Sequence, residues 1–294
     1  DFQGAMFNTC WEDAGVCTNP GVGNVIITNS SFSDNSSNFV GLYVETKGAI
    51  TLTNVDTSGN RGYDRGTMDP TYTTAGARLY NHYAATAYPV TVNTSTFDYN
   101  SEDGLEIFSK GLVTINKVVA DSNGIETDEF GDWVASYDGY GMDIDNVNGT
   151  AGVTFKGTAW GDNTTYGNAY GLRIKTKGNI LLNYLDSSYN SYTNASLDNT
   201  NGAGNVTINK SDFSHSFGEY GLFINSKGTV TLNSASANEN YWAGAFIDNR
   251  LATTPKAVKI TGGSFDENSD TGLVVSSHGS ITLTNIYANY NGSY

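Results

Sequence analysis

The sequence predicts an all-β solenoid of about ten stacked rungs, a single domain over residues 1–294. Three observations predict it. Large apolar residues recur in pairs at i and i+2, the period of a half-buried strand. An Asn stands ten residues after the first apolar residue of nine pairs in ten. The composition has 34 Gly and only 4 Pro, which suits many short strands joined by tight turns.

Pro89 to Gly111 shows one complete unit. Val90 and Val92 alternate with polar residues, Phe97 follows, and Asn100 marks a bend. After Gly104 a second strand carries Leu105 and Ile107, and Lys110-Gly111 closes the turn. Repeats of this length define a solenoid before any other feature is considered.

The first apolar residues of the successive units, their anchors, are Val25, Ile50, Val90, Val113, Val153, Ile180, Val206, Val230, Val258 and Ile281. The bend residues are Asn35, Asn60, Asn100, Asn123, Asn163, Asn190, Asn240, Asn268 and Asn291, with Ser216 as the exception. The second strands carry Leu42/Val44, Ala77/Leu79, Leu105/Ile107, Met142/Ile144, Leu172/Ile174, Ala195/Leu197, Leu222/Ile224, Ala245/Ile247 and Leu273/Val275, preceded by Ala5/Phe7. A Gly precedes most of these pairs, whereas Ala195 follows Asn194. Parallel pairing of equal positions, about 4.8 Å apart, would line one interior with apolar side chains. The bend Asn residues would then stack as a hydrogen-bonded ladder.

A two-rung alternation overlies the repeat. Phe32, Phe97, Trp160, Phe213 and Phe265 stand seven after alternate anchors, in units ending Lys47-Gly48, Lys110-Gly111, Lys177-Gly178, Lys227-Gly228 and His278-Gly279. The intervening units carry Thr57, Ala120, Ser187, Ala237 and Ala288 at that place. Large over small predicts interdigitated layers without voids.

This pattern resembles the right-handed parallel β-helix family, the fold of pectate lyases, polygalacturonases and many surface proteins. The resemblance covers essentially the whole chain. It implies a rod on the order of 50 Å long at ~4.8 Å per rung.

Loops leave the frame mainly at one edge. Arg61 to Ala75 and Gly124 to Tyr140 both follow the Asn bend, two rungs apart. The second contains Glu126, Asp128, Glu129, Asp132 and Trp133, with Tyr63, Asp64, Tyr72, Tyr137 and Tyr140 predicted nearby. Carboxylates among aromatics suit a glycan, or Ca²⁺ at Asp128, Glu129 and Asp132. No other cofactor is implied. The competing reading is a solvated, self-packed loop.

The second strand's outward positions read Glu45, Arg78, Tyr80, Glu106, Asp143, Asp145, Arg173, Lys175 and Asp198. In polygalacturonase-like relatives this sheet carries the active site. The resemblance implies Asp143, Asp145, Arg173 and Lys175 as catalytic candidates, because Arg173-Ile174-Lys175 matches the family's triplet. Glycoside hydrolysis needs one carboxyl as acid and another as base or nucleophile. The family's other motifs are absent, so the reading leans against an enzyme. The competing account is cross-strand pairing of opposite charges.

The chain carries 15 basic and 30 acidic residues, a formal charge of −15. That excludes a phosphate-binding surface for nucleic acid, and no apolar run reaches the ~20 residues of a membrane span. Cys10 and Cys17 predict a disulfide and an extracellular or cell-surface location, against the alternative of two buried thiols. Among the Asn-x-Ser/Thr sequons, Asn148 is the candidate for glycosylation.

Asp1-Phe2-Gln3 is neither a signal peptide nor an initiator Met, so the reading is a processed protein or an excerpt. Gly4 to Asn8 aligns with Gly244 to Asp248, and Asn291 ends a bend. The ends are therefore predicted to be uncapped half-rungs in matching phase. The leading function is a structural extracellular rod whose partner is itself, head to tail, or flanking repeats of the same kind. The alternative is a polysaccharide-cleaving or polysaccharide-binding protein, with glycans as partners.

Overall fold

Each of the ten anchors opens a strand in the computed structural model, and each of those strands pairs in parallel with the next. The structure describes residues 4–9, 12–13, 16–17, 23–35, 40–61, 74–127, 133–135 and 139–292. Among them there is no helix, and hence none long and apolar enough to cross a membrane.

Two stacked parallel sheets form a β-helix. One holds ten strands, from Ala5–Asn8 to Leu273–Ser277. The other holds ten from Val25–Ser31 to Ile281–Tyr287, with Asn163–Thr164 and Leu185–Asp186 as short additions. Equal positions of the repeat are register partners throughout, such as Val90 with Val113 and Val113 with Val153. On the first sheet Leu105 pairs with Met142, and Met142 with Leu172. Between the two end strands, Ala5–Asn8 and Ile281–Tyr287, residues i and i+2 point into one continuous apolar core. Fully burying each Val, Leu or Ile stabilises the coil by roughly 1.5–3 kcal/mol.

At one bend the Asn side chains form the ladder. Asn60 Nδ2 donates to Asn100 Oδ1 at 3.0 Å and to Thr57 O at 2.8 Å. Asn100 repeats this to Asn123 at 2.9 Å. Each ladder Asn lies against the Gly that opens a second strand. A Cβ on Gly41 would stand 2.5 Å from Asn60 Nδ2, and one on Gly171 2.6 Å from Asn190 Nδ2. The residue before the ladder Asn, or before Ser216 in its place, closes the bend in the left-handed region, and it is Tyr99 (φ 58°), Tyr189 (φ 58°) or His215 (φ 59°) as readily as Gly.

The ladder departs from expectation at two rungs. Asn123 Nδ2 donates to Asn168 Oδ1 at 3.0 Å, and Asn168 continues to Asn190, so Asn163 is not a rung of the ladder. Asn163 instead accepts from Val118 N at 3.1 Å and donates to Lys156 O at 2.9 Å. The cause is an inserted turn before it. Asp162 Oδ2 closes that turn by accepting from Thr158 N and Ala159 N, at 2.6 and 3.0 Å.

Trp160 rides on the same turn and is 58% exposed, so it is not the buried aromatic of its rung. Buried Thr165 takes that place and donates to Ser187 Oγ at 2.6 Å. Buried Phe155 supplies bulk at the second core position. Phe97, Phe213 and Phe265 are fully buried, as the alternation requires.

At the other irregular rung, Ser216 leaves the ladder one amide short. Asn194 fills the gap from the rung before, donating to Phe213 O at 3.0 Å and Ser214 O at 2.8 Å. Its Oδ1 accepts from Asn190 Nδ2 at 2.8 Å.

The opposite bend alternates two devices. In alternate rungs a hydroxyl accepts from the Gly two residues on, as Ser109 does from Gly111 N at 3.1 Å. In three of the others an Asn donates to that Gly's carbonyl, as Asn146 does to Gly111 O at 2.9 Å, whereas Asn199 donates to Gly204 O. Cys10 lies outside the described residues, and Cys17 is described in its backbone alone, so the predicted disulfide lies outside them too.

Candidate functional site

On the outer face of the first sheet, four successive rungs bring Arg78, Glu106, Asp143 and Arg173 into one register column. They sit between core residues of the same strands, so the period-2 alternation that buries Leu79, Ile107, Ile144 and Ile174 turns these four outward.

Arg173 holds Asp143 by both carboxylate oxygens, with Nε to Oδ1 at 2.7 Å and Nη2 to Oδ2. The Tyr140 hydroxyl lies 3.3 Å from Arg173 Nη1, and the guanidinium sits 4.4 Å from the centre of the Tyr140 ring. Burial opposes the charge on Arg173, but the hydrogen bonds and charge of Asp143 outweigh it and hold the guanidinium above its ordinary range. Arg78 donates to Glu106 at 2.6 Å and to Glu102 at 2.8 Å.

Asp103 lies in the short bend between these strands, buried, and accepts from Tyr140 N at 2.7 Å. Burial, and after it the Asp143 charge, push its carboxyl well above the ordinary range. Asp103, Glu106 and Asp143 offer carboxylate oxygens within 4.8 Å of one another. That spacing suits a shared divalent cation. Arg78 and Arg173 already neutralise Glu106 and Asp143, however, so a cation would have to compete with two bound guanidinia.

Of the four catalytic candidates, Asp143 and Arg173 meet as an ion pair. Asp145 and Lys175 are register neighbours in the next outward column, and Asp145 accepts from Val147 N at 3.0 Å. Asp143 is 4% exposed, and Arg173 holds both of its carboxylate oxygens. Glu102 and Asp103 complete the cluster, and the reading of the sequence missed both. The available signal was two adjacent acids directly before Gly104, where every other rung has at most one.

Tyr140 and Tyr170 stack at 4.9 Å, and Tyr170 and Tyr192 at 4.7 Å, continuing the outer face along the axis. The two long insertions rejoin the sheet at Thr74 and Gly139, one rung to either side of Asp103. Tyr63, Asp64, Asp128, Glu129 and Asp132 lie outside the described residues. Glu126 and Trp133 are described only as backbone of an antiparallel pair, Ile125–Thr127 with Trp133–Ala135. The predicted glycan or Ca²⁺ loop site therefore lies outside the described side chains. Asn148 is exposed in the turn after Asn146.

No family model matches the chain. No curated protein matches it either. Among solved structures it is similar to the crystal structure of the periplasmic alginate epimerase AlgG, at 11% identity over 89% of this chain and 74% of that one, with a TM-score of 0.42. A likeness this distant carries no argument about activity.

Proposed function

We propose that this chain is a polysaccharide-binding β-helix that works outside the cell. One observation carries the reading: Arg78, Glu102, Glu106, Asp143 and Arg173 form a fixed array of charged hydrogen-bonding groups beside the Tyr140–Tyr170 stack. A rigid sheet that repeats polar groups along its axis matches a polymer of hydroxyl-bearing rings. Arg78 and Arg173 keep 24% and 33% of their side chains exposed, so each has donors left for a ligand. Recognition is favoured over cleavage because Asp143 is committed to Arg173 and Asp103 is buried.

Electrophoresis through native gels containing dissolved polysaccharides, neutral and acidic, tests this. The full chain is expected to be retarded by at least one of them without releasing reducing ends or unsaturated products. Glu106→Gln is expected to weaken that retardation. Free migration through every gel removes the proposal, and product release converts it to an enzyme.

A second reading, a rod that lengthens by stacking, is supported by a different observation. Ile281–Tyr287 pairs on one side only among the described residues, and Ile281 and Leu283 are 46% and 49% exposed. A further rung, from the same chain or a second copy, would pair there. Electron microscopy of the purified protein distinguishes uniform filaments from separate particles.

A further inference from the structure

The irregular rung at Ser216 differs from the others in more than its missing amide. Its bend runs four residues from Ser216 to Gly221, Phe217 to Tyr220, where neighbouring rungs use three. In this bend Phe217 is 62% exposed, and on the next rung Tyr241 is 57% exposed. Between them lies a pocket of about 230 Å³, completed by Glu239, Glu267 and Ser269. This site is on the Asn-ladder edge, away from the arginine–carboxylate column.

Large exposed aromatic side chains mark an interaction surface when they flank a depression that also presents polar groups. Here the backbone under both rings is fixed. Phe217 N donates to Asn190 O at 3.1 Å and Tyr241 N to Ser216 O at 2.9 Å. The rings are thus presented without much ordering cost on binding.

The polar groups decide the ligand. Glu239 and Glu267 accept hydrogen bonds, and Ser269 both accepts and donates. Beside them, His215 Nδ1 lies 3.5 Å from Glu239 Oε2. An anionic ligand would meet two carboxylates in a chain of formal charge −15. A ring with an apolar face and several hydroxyl donors meets both demands.

We propose that the pocket between Phe217 and Tyr241 binds one uncharged sugar ring of a neutral polysaccharide. This rests on the polysaccharide-binding reading but uses a separate site. The pocket's size fits one ring, so affinity for a long chain comes from its cooperation with the sheet face.

The test is native gel electrophoresis of the full chain through hydroxyethylcellulose and galactomannan, with alginate as the acidic comparison. Wild type is expected to be retarded by at least one neutral polymer. Phe217→Ala and Tyr241→Ala are each expected to weaken the apparent affinity at least fivefold, with an unchanged thermal midpoint, and Phe217→Tyr to retain it. Retardation that survives the double alanine variant overturns the proposal, as does retardation by alginate alone. Loss in Glu106→Gln but not in the alanine variants overturns the pocket and leaves the broader reading standing. No retardation in any gel removes both.

Discussion

Asn194 fills the space that Ser216 leaves empty. In nine rungs of ten a Gly opens the second strand and a ladder Asn from the next rung packs against it, as Asn240 does on Gly221. At the tenth the two residues are exchanged: Asn194 stands where Gly would, and Ser216 where Asn would. The Asn194 amide then reaches the two carbonyls, Phe213 O and Ser214 O, that an asparagine in place of Ser216 would have bonded from its own rung.

Asn194→Gly is therefore expected to cost about 1–3 kcal/mol, because it leaves buried carbonyls without donors. Ser216→Asn alone should cost a similar amount through collision with Asn194. The double substitution should recover most of both losses. Urea unfolding of the four proteins measures the coupling, and additive losses would refute it.

Phe213→Ala is expected to cost about 3–5 kcal/mol, since the ring is fully buried and the neighbouring Ala237 cannot fill the void. Trp160→Ala is expected to change stability by no more than ~0.5 kcal/mol, because the ring lies on an exposed turn. Thermal denaturation of both variants checks this difference.

Asp98 connects the ladder edge to pH. Its side chain accepts from Asp121 N at 2.8 Å. Burial, opposed by that bond and assisted by Asp121 and Asp56, raises its carboxyl to about 6. The unfolded value is near 3.9. Between those values the folded state holds more protons than the unfolded one, so stability falls as pH rises from about 4 to about 6. Asp98→Asn keeps the acceptor without the charge. It should raise the melting midpoint measured at neutral pH and leave it nearly unchanged at pH 4. An equal effect at both pH values would contradict the charge-burial account.

Arg173→Ala should destabilise the fold by roughly 3–5 kcal/mol at neutral pH, because Asp143 keeps a buried charge without its partner. Arg173→Lys should recover less than half, since an ammonium cannot hold both oxygens at once. Guanidinium melts of the two variants decide the point.

The repeat was legible in the sequence because parallel stacking places equal positions on equal positions. Val90, Val113 and Val153 read as anchors, and they pair. The ladder was legible where the spacing held and misleading where a turn was inserted, so Asn163 was predicted in the place Asn168 holds. Left-handed bend positions were not legible, because Tyr99, Tyr189 and His215 occupy them without a compositional sign. The outward column was legible as a list of Arg78, Glu106, Asp143 and Arg173. Its meaning was not, because only coordinates show that Asp143 is already taken by Arg173.

Odd and even turns of this coil are different parts. One carries a core Phe or its substitute and a hydroxyl-capped Gly; the other carries a small core residue and, in three turns, an Asn that grips that same Gly, as Asn146 grips Gly111. Deleting a single turn would set Phe97 against another bulky layer and leave two like caps facing each other. Adding or removing two turns keeps both matches, whereas a change of one turn breaks them and should lower stability.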